Sequence, residues 1–269
     1  MSTLLNDNEY QSYLDTIILP GVNHLIDKDI YLTIINRNLQ IEFATDISAQ
    51  SVGKQKGSEI KGVSFLEYQN VEFLEDFFKD SFNEKNKDMI LSYGEKLIYL
   101  QKFVFEKCKV VKFIDMLPYN NEFVSYITSY VPMLHPSGEV VAIQSSSVRS
   151  YVLRFDGHIE KVNRPGTENE LRLKFSPREL EVLFLLSNGA TQEQIAQILG
   201  IARGTVSSLI TYQISPKFKI PGANTKILIR EAITAGMHRF MPPSLWRPCL
   251  IILNAELLDD PLMNDLFVH

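Results

Sequence analysis

A helix predicted between about residues 202 and 215 has two faces of different chemistry. Short hydroxyl side chains that can form hydrogen bonds occupy one face, at Ser207, Ser208 and Thr211. The apolar residues of the opposite face are Val206, Leu209, Ile210 and Ile214. An apolar back that packs on a scaffold and a polar front suit a helix that enters the DNA major groove and contacts base edges. A small helical domain that binds protein would have the same two faces, so helical spacing alone does not separate these functions.

Two further helices are predicted before this one, each with its own start and stop signals. Residues 176–179 and 191–194 have the pattern of capping boxes, and the first includes a proline at the first helical position. Gly189 and Gly200 are the predicted stops, because glycine adopts the left-handed conformation after a helix at little cost. Pro216 is predicted to end the third helix. The segment therefore predicts three short helices with tight connections.

The same motifs resemble the DNA-binding domain of the LuxR/GerE family of bacterial transcription regulators. The matching pieces are S-P-R-E-x-E-V-L (176–183), Gly189, Q-I-A-x-x-L-G-I (194–201), T-V (205–206), Ile214 and Lys217-Phe218. The resemblance continues through Asn224-Thr225 into a fourth helix, Ile227–Ala235, and covers about residues 173–240. It implies a four-helix domain that binds duplex DNA, with a dimer surface on the fourth helix.

The resemblance also implies roles for individual residues. Ser207, Ser208 and Thr211 lie at the positions where the family contacts bases. The positions near its phosphate contacts hold Thr191, Arg203, Thr205 and Lys217. The family usually has histidine at the position of Leu209 and a helix-continuing residue at that of Pro216. The second difference predicts a shortened recognition helix.

Charge is distributed unevenly along the chain. Residues 171–247 contain ten Lys and Arg residues but four Asp and Glu residues, a net charge of +6, although the whole chain has a net charge of −5. Residues 248–269 contain no Lys or Arg and four acidic residues. The basic excess lies in the segment expected to meet phosphates, where counterion release contributes to affinity.

The N-terminal half has the pattern of a mixed α/β sensor domain. Two strands, short helices, a longer helix at about Val71–Phe82, a second at Met89–Phe105 and three strands follow one another. The stretch L-T-I-I-N-R-N-L-Q-I-E-F-A (32–44), with Val52-Gly53 and Glu59–Gly62, resembles the opening of a PAS repeat. A GAF-like or other α/β sensor domain is the alternative. The region lacks the acidic pair that a phosphorylated receiver domain needs, which disfavours that class. An autoinducer-binding domain is also disfavoured, because it relies on tryptophans and the only tryptophan, Trp246, lies outside the region.

No cofactor is predicted for the sensor, although an unidentified small-molecule ligand stays open. Residues 71–105 contain no histidine that could bind haem iron. Cys108 and Cys249 are the only cysteines, far apart in sequence, and are expected to be free thiols in a reducing cytoplasm. Cys108 lies between two lysines, so redox sensing by its thiol remains an alternative. No catalytic or metal-binding constellation is present, so an enzyme is not expected.

The expected fold class is α+β: an N-terminal PAS-like antiparallel sheet with flanking helices, plus a C-terminal all-α four-helix LuxR-type helix-turn-helix domain. The predicted domains are a sensor with a leading helix (1–155), a linker (156–172), a DNA-binding domain (173–240) and a C-terminal extension (241–269). The extension is expected either to pack on its domain or to dock on the basic DNA-binding face or the sensor.

The expected function is sequence-specific binding of double-stranded DNA by a cytoplasmic transcription regulator under the control of the sensor. A protein-interaction or signalling module without DNA binding is the alternative. The expected partners are double-stranded DNA, a second copy of the chain and RNA polymerase, but no membrane. The predicted dimer residues are Tyr13, Leu14, Ile17, Ile227 and Ile233.

Overall fold

The computed structural model describes residues 5–78, 82, 84, 87–119, 122–149, 173–221, 224–239, 241–245, 249–257, 260, 261, 263 and 267. The chain divides into two compact units. The first contains Met1–Asp115, Tyr119–Asn121 and Tyr126–Arg149, and the second contains Met116–Pro118, Glu122–Ser125 and Ser150–His269. The predicted linker, residues 156–172, lies outside the described residues.

Five strands form the sheet of the first unit. They are β1 (Tyr31–Asn36), β2 (Ile41–Ala44), β3 (Val111–Tyr119), β4 (Glu122–Leu134) and β5 (Val140–Arg149). Their order is β2-β1-β5-β4-β3, with β1 antiparallel to both β2 and β5, and β5 antiparallel to β4. Leu32 pairs with Ser146 and Tyr130 pairs with Ser145, so the central β5 aligns both neighbours. The predicted PAS-like sheet is confirmed.

The helices of the first unit flank this sheet. They are α1 (Asp7–Tyr13), which continues through a π-turn (Leu14–Ile18) into α2 (Leu19–Val22), then α3 (Asp46–Ser51), α4 (Val71–Phe78) and α5 (Lys87–Lys107). Short 3-10 turns occupy Asn23–Leu25, Gly57–Glu59 and Phe65–Gln69. Tyr10, Leu14 and Ile18 on the leading helix pack with Leu32 and Ile34 in one apolar cluster. The leading helix therefore covers the sheet of its own unit.

The second unit is mainly helical. Its elements are α6 (Pro177–Ser187), α7 (Gln192–Leu199), α8 (Arg203–Ser208), a π-turn (Leu209–Ile214), α9 (Ser215–Lys217), α10 (Thr225–Thr234) and β6 (Cys249–Ile252). Further 3-10 turns occupy Met237–Arg239, Pro243–Leu245 and Ala255–Leu257. The continuous segment from Arg203 to Lys217 is called the recognition helix below.

Candidate DNA-binding surface and sensor interior

Local capping fixes the first two helices of the second unit. The backbone N–H of Ser176 donates to Glu179 Oε2 at 2.6 Å, and that of Thr191 donates to Gln194 Oε1 at 2.9 Å. In return, the Ser176 and Thr191 hydroxyls accept hydrogen bonds from the N–H groups at the third helical positions. Gly189 and Gly200 have φ angles of +89° and +61°, which favour glycine. Both predicted capping boxes and both predicted stops are confirmed.

The recognition helix continues through Pro216, so the prediction that Pro216 ends it was wrong. Its middle portion is a π-turn, in which the N–H of Ser215 donates to the carbonyl of Ile210, five residues earlier. Proline normally breaks a helix because its ring clashes with the carbonyl four residues earlier and its nitrogen has no hydrogen to donate. A π-turn shifts that carbonyl and removes the need for an α-helical donor at this position. The segment therefore ends at Lys217, with Phe218 as its C-terminal cap.

The predicted base-contact residues differ in exposure. Ser208 is exposed, whereas Ser207 and Thr211 are partly exposed. Val206, Ile210 and Ile214 have 0–1% of their surface exposed and form the buried back of the helix. Two neighbouring residues that the sequence analysis missed, Tyr212 and Gln213, are exposed on the same helix, and Tyr212 has 77% of its surface exposed.

The predicted phosphate contacts have different environments. Arg203 forms an exposed ion pair with Glu193, with 2.5 Å between Nε and Oε1. Thr191 and Thr205 are exposed at the starts of their helices. These three side chains lie at the N-terminal ends of α7 and α8, where backbone N–H groups also point outward and favour an anion.

Lys217 bridges the end of the recognition helix to the start of α6. Its Nζ donates to both carboxylate oxygens of Glu179, at 2.6 and 2.7 Å. The ammonium also lies 5.2 Å from the centroid of the Phe175 ring. Glu179 has 3% of its side chain exposed and Lys217 has 34%. Lys217 is therefore engaged inside its own unit.

The charge of Glu179 is stabilised in this buried position. Burial by itself raises the pKa of a carboxyl group, but the hydrogen bonds from Lys217 and Ser176 outweigh that effect, and the net pKa of Glu179 is lowered. Glu179 therefore remains a carboxylate that both caps α6 and holds the ammonium group. This contact joins the end of the recognition helix to the start of α6.

The C-terminal extension contacts the helix-turn-helix directly. The Gln197 side chain on α7 accepts from the Ile252 N–H at 2.8 Å and donates to the Ile252 carbonyl at 3.4 Å. Ser244 donates to the Glu181 carboxylate on α6. Leu250, Ile251 and Ile252 are each at most 4% exposed. These contacts support the interpretation of the extension as a segment packed on its domain. The predicted acidic helix at 256–267 lies largely outside the described residues.

The residues predicted for dimerisation are unequally available. Leu14 is 1% exposed within the core of the first unit, and Tyr13 is partly buried with its ring 4.7 Å from that of His135. Leu14 is therefore used in folding its own unit, because the π-turn directs the apolar stripe onto the sheet. Ile17 and Ile233 are 57% and 43% exposed, and Ile227 is partly exposed.

A cluster of polar side chains lies inside the first unit between α5 and the sheet. The Tyr93 hydroxyl donates to Asp115 at 2.8 Å, and the Gln101 amide donates to the Tyr130 hydroxyl at 3.3 Å. Burial raises the pKa of Asp115 to about 7, although the hydrogen bond from Tyr93 opposes that rise. Gln101 is fully buried, and its Oε1 accepts no hydrogen bond from any described residue. A buried acceptor without a donor is costly, so this position favours a bound donor.

The described part of the chain contains no cluster of metal ligands, no disulfide and no helix that could span a membrane. No cluster of three His, Cys, Asp or Glu side chains that could hold a metal ion occurs among those residues. Cys108 is exposed and Cys249 is partly buried, and neither forms a disulfide within the part of the chain that the structure describes. Within the same residues, no helix has the length and apolar character needed to cross a membrane.

Comparisons with known proteins agree with this architecture. Residues 173–222 match the family of bacterial regulatory proteins called the luxR family. A curated relative, the transcriptional activator protein CarR of Pectobacterium carotovorum subsp. carotovorum, is 31% identical over 91 residues, which are 34% of this chain and 36% of CarR. The match thus spans about a third of the length of that relative.

Two solved structures are similar over most of the chain. The phage VqmA–DPO complex has a TM-score of 0.50 and 20% identity, covering 91% of this chain and 100% of the phage protein. A ligand–DNA complex of VqmA from Vibrio cholerae has a TM-score of 0.44 and 18% identity, covering 89% and 97% of the two chains. The phage VqmA structure therefore shares the fold of this chain.

Fold and site together define a two-unit protein with a PAS-like sheet unit and a helix-turn-helix unit. The helix-turn-helix is of the LuxR family: this chain carries a LuxR/GerE-type domain at residues 173–222.

Proposed function

We propose that this protein is a transcription regulator that binds double-stranded DNA through the recognition helix and is controlled by the PAS-like unit. The observation that carries the proposal is a helix with a fully buried apolar back and an exposed polar front, within a segment (residues 171–247) whose net charge is +6. Such a helix can enter the major groove while the scaffold stays outside it. RNA polymerase is a further partner expected of a regulator.

Selection of bound DNA from a random duplex pool tests this function. The full chain should enrich one sequence and should bind it more tightly than random DNA of the same length. If no duplex is retained above background, a protein-interaction module without DNA binding becomes the better description.

Arg203 is proposed to contact a phosphate in that complex. Arg203→Ala should weaken binding to all sequences alike and reduce the slope of log affinity against log salt by about one unit. Lys226→Ala, which removes an exposed positive charge at the start of α10, is the matched control. An unchanged slope for Arg203→Ala would remove this residue from the interface.

The three hydroxyl residues are proposed to contact bases. Replacing Ser207, Ser208 or Thr211 with alanine should relax sequence preference by ~1–3 kcal/mol at one base step, while binding to random DNA stays nearly unchanged. Because Ser208 is the most exposed of the three, its replacement should have the clearest effect. Equal losses on specific and random DNA would contradict base contact.

Binding is proposed to require two copies of the chain on half-sites about one helical turn apart. The exposed apolar residues Ile17 and Ile233 are the available contacts, one in each unit. Sedimentation of the full chain at increasing concentration measures this association directly. A chain that stays monomeric at all concentrations and on a palindromic duplex would contradict the proposal.

The first unit is proposed to hold a small ligand that donates a hydrogen bond to Gln101. The free Gln101 acceptor and the neighbouring Tyr130 hydroxyl support this proposal. Mass spectrometry of molecules released on denaturing the purified full chain should find a compound that Gln101→Leu, a change of similar volume, no longer retains. Equal retention by the variant would place the compound elsewhere.

A further inference from the structure

The π-turn gives the recognition helix an unusual distribution of buried and exposed residues. Val206, Ile210 and Ile214 are all buried although they are spaced by four residues each time. In an α-helix of 3.6 residues per turn, each such step advances by about 40°, so the third residue would lie about 80° from the first. The wider turn at Leu209–Ile214 offsets this drift and keeps all three residues in the core.

The same turn sets which residues face outward. Between the buried Ile210 and Ile214, the two consecutive residues Tyr212 and Gln213 are exposed. They follow the exposed Ser208 along the helix and extend the polar front beyond the three short hydroxyl side chains. Both also differ from those residues in reach, since a glutamine amide or a phenol extends several bonds further than a serine hydroxyl.

These two side chains have chemistry that suits an A·T base pair. A glutamine amide can donate to and accept from the N7 and N6 edge of adenine in the major groove, which a single hydroxyl cannot do in bidentate form. An apolar ring can contact the thymine methyl group, which the major groove also presents.

We propose that Tyr212 and Gln213 form an A·T-reading pair, in which Gln213 hydrogen-bonds an adenine and the Tyr212 ring contacts a neighbouring thymine methyl. This inference rests on the proposed DNA-binding function and adds the base preference of the same surface. In this proposal Tyr212 and Gln213, which lie in the π-turn, distinguish A·T from other base pairs. The short hydroxyl residues contact the base steps nearer the start of the helix.

Gln213 variants on the selected duplex test the base preference. Gln213→Ala in the full chain should lower affinity for that duplex by about 5- to 150-fold, as expected for one lost bidentate pair, with little loss on random DNA. Gln213→Glu should change the preferred base at the same position from adenine to cytosine, because a carboxylate accepts from the cytosine amino group. Gln50→Ala, at an exposed glutamine of the first unit, is the matched control.

Tyr212 variants test the ring contact separately. Tyr212→Phe should keep preference for thymine, whereas Tyr212→Ala should lose it, and replacing thymine with uracil should have the same effect as Tyr212→Ala. Far-UV circular dichroism verifies that each variant is folded, which exposed positions should allow.

The outcomes separate this inference from the proposed function. A wild-type chain that selects no DNA overturns the function itself. A wild-type chain that selects a duplex, with Gln213 variants that keep its base preference or weaken all sequences alike, overturns only the A·T-reading pair.

Discussion

The Lys217–Glu179 contact predicts a large loss of stability for Lys217→Ala. That substitution leaves a carboxylate, 3% exposed, without its cation and with the Ser176 capping interactions alone. Removing one partner of a buried pair costs ~3–5 kcal/mol. Since 34% of the Lys217 side chain is exposed, water screens part of the interaction, and ~2–3 kcal/mol is expected here.

Urea unfolding of the full chain, followed by far-UV circular dichroism, measures this loss. Arg230→Ala, which removes an exposed pair with Glu231, is the matched control and should change stability by no more than ~0.5 kcal/mol. The double variant Lys217→Met with Glu179→Gln should recover most of the loss, because no unpaired buried charge remains.

Acid unfolding gives a second readout of the same pair. Because the pKa of Glu179 is lowered in the folded protein, its contribution to stability is fully present above its unfolded pKa of ~4.3 and is lost as the pH falls through the lower folded value. Lys217→Ala should weaken this acid dependence. A variant as stable as wild type at neutral pH, with unchanged acid unfolding, would refute the assignment of Lys217 to a closing contact.

Three further outcomes are expected. Asp115 has a pKa raised to about 7, so its contribution to stability is fully present below a pH of ~3.9 and is lost as the pH rises through about 7. Asp115→Asn should therefore make the free energy of unfolding less dependent on pH over that range, and an unchanged pH profile would contradict the burial of Asp115. Leu14→Glu should unfold the first unit, whereas Ile17→Glu should leave it folded and reduce any self-association. Circular dichroism and sedimentation measure these effects, and equal effects of the two substitutions would contradict the different exposure of Leu14 and Ile17. Gln197→Ala should lower the free energy of unfolding by ~1–2 kcal/mol because it removes two hydrogen bonds to Ile252. Urea unfolding unchanged from wild type would contradict the packing of the extension on the helix-turn-helix.

Local signals in the sequence predicted the helices of the second unit well. The capping boxes at Ser176 and Thr191 join residues three apart, and the stops at Gly189 and Gly200 depend on the conformational freedom of a single residue. Such interactions are complete within one turn, so their pattern is visible without the fold. The PAS-like order of strands was predictable for a similar reason, since strand and turn signals follow one another along the chain.

Tertiary structure decided where the winding and the charges depart from local rules. The recognition helix passes Pro216 because three apolar residues are held in one core, and a π-turn is the winding that keeps them there. Periodicity at 3.6 residues per turn places Gln213 near the buried face, so it could not identify this residue as outward-facing.

Long-range partners likewise exist only in the folded chain. Lys217 and Glu179 are 38 positions apart, and Tyr93 and Asp115 are 22 apart. Leu14 and Ile17 belong to the same apolar stripe in sequence, yet the first is buried against the sheet and the second is exposed. The sequence by itself determined which elements form and what chemistry they contain. Packing in three dimensions determined which of those side chains are exposed and which are buried or paired, because burial and pairing depend on neighbours that are distant in sequence.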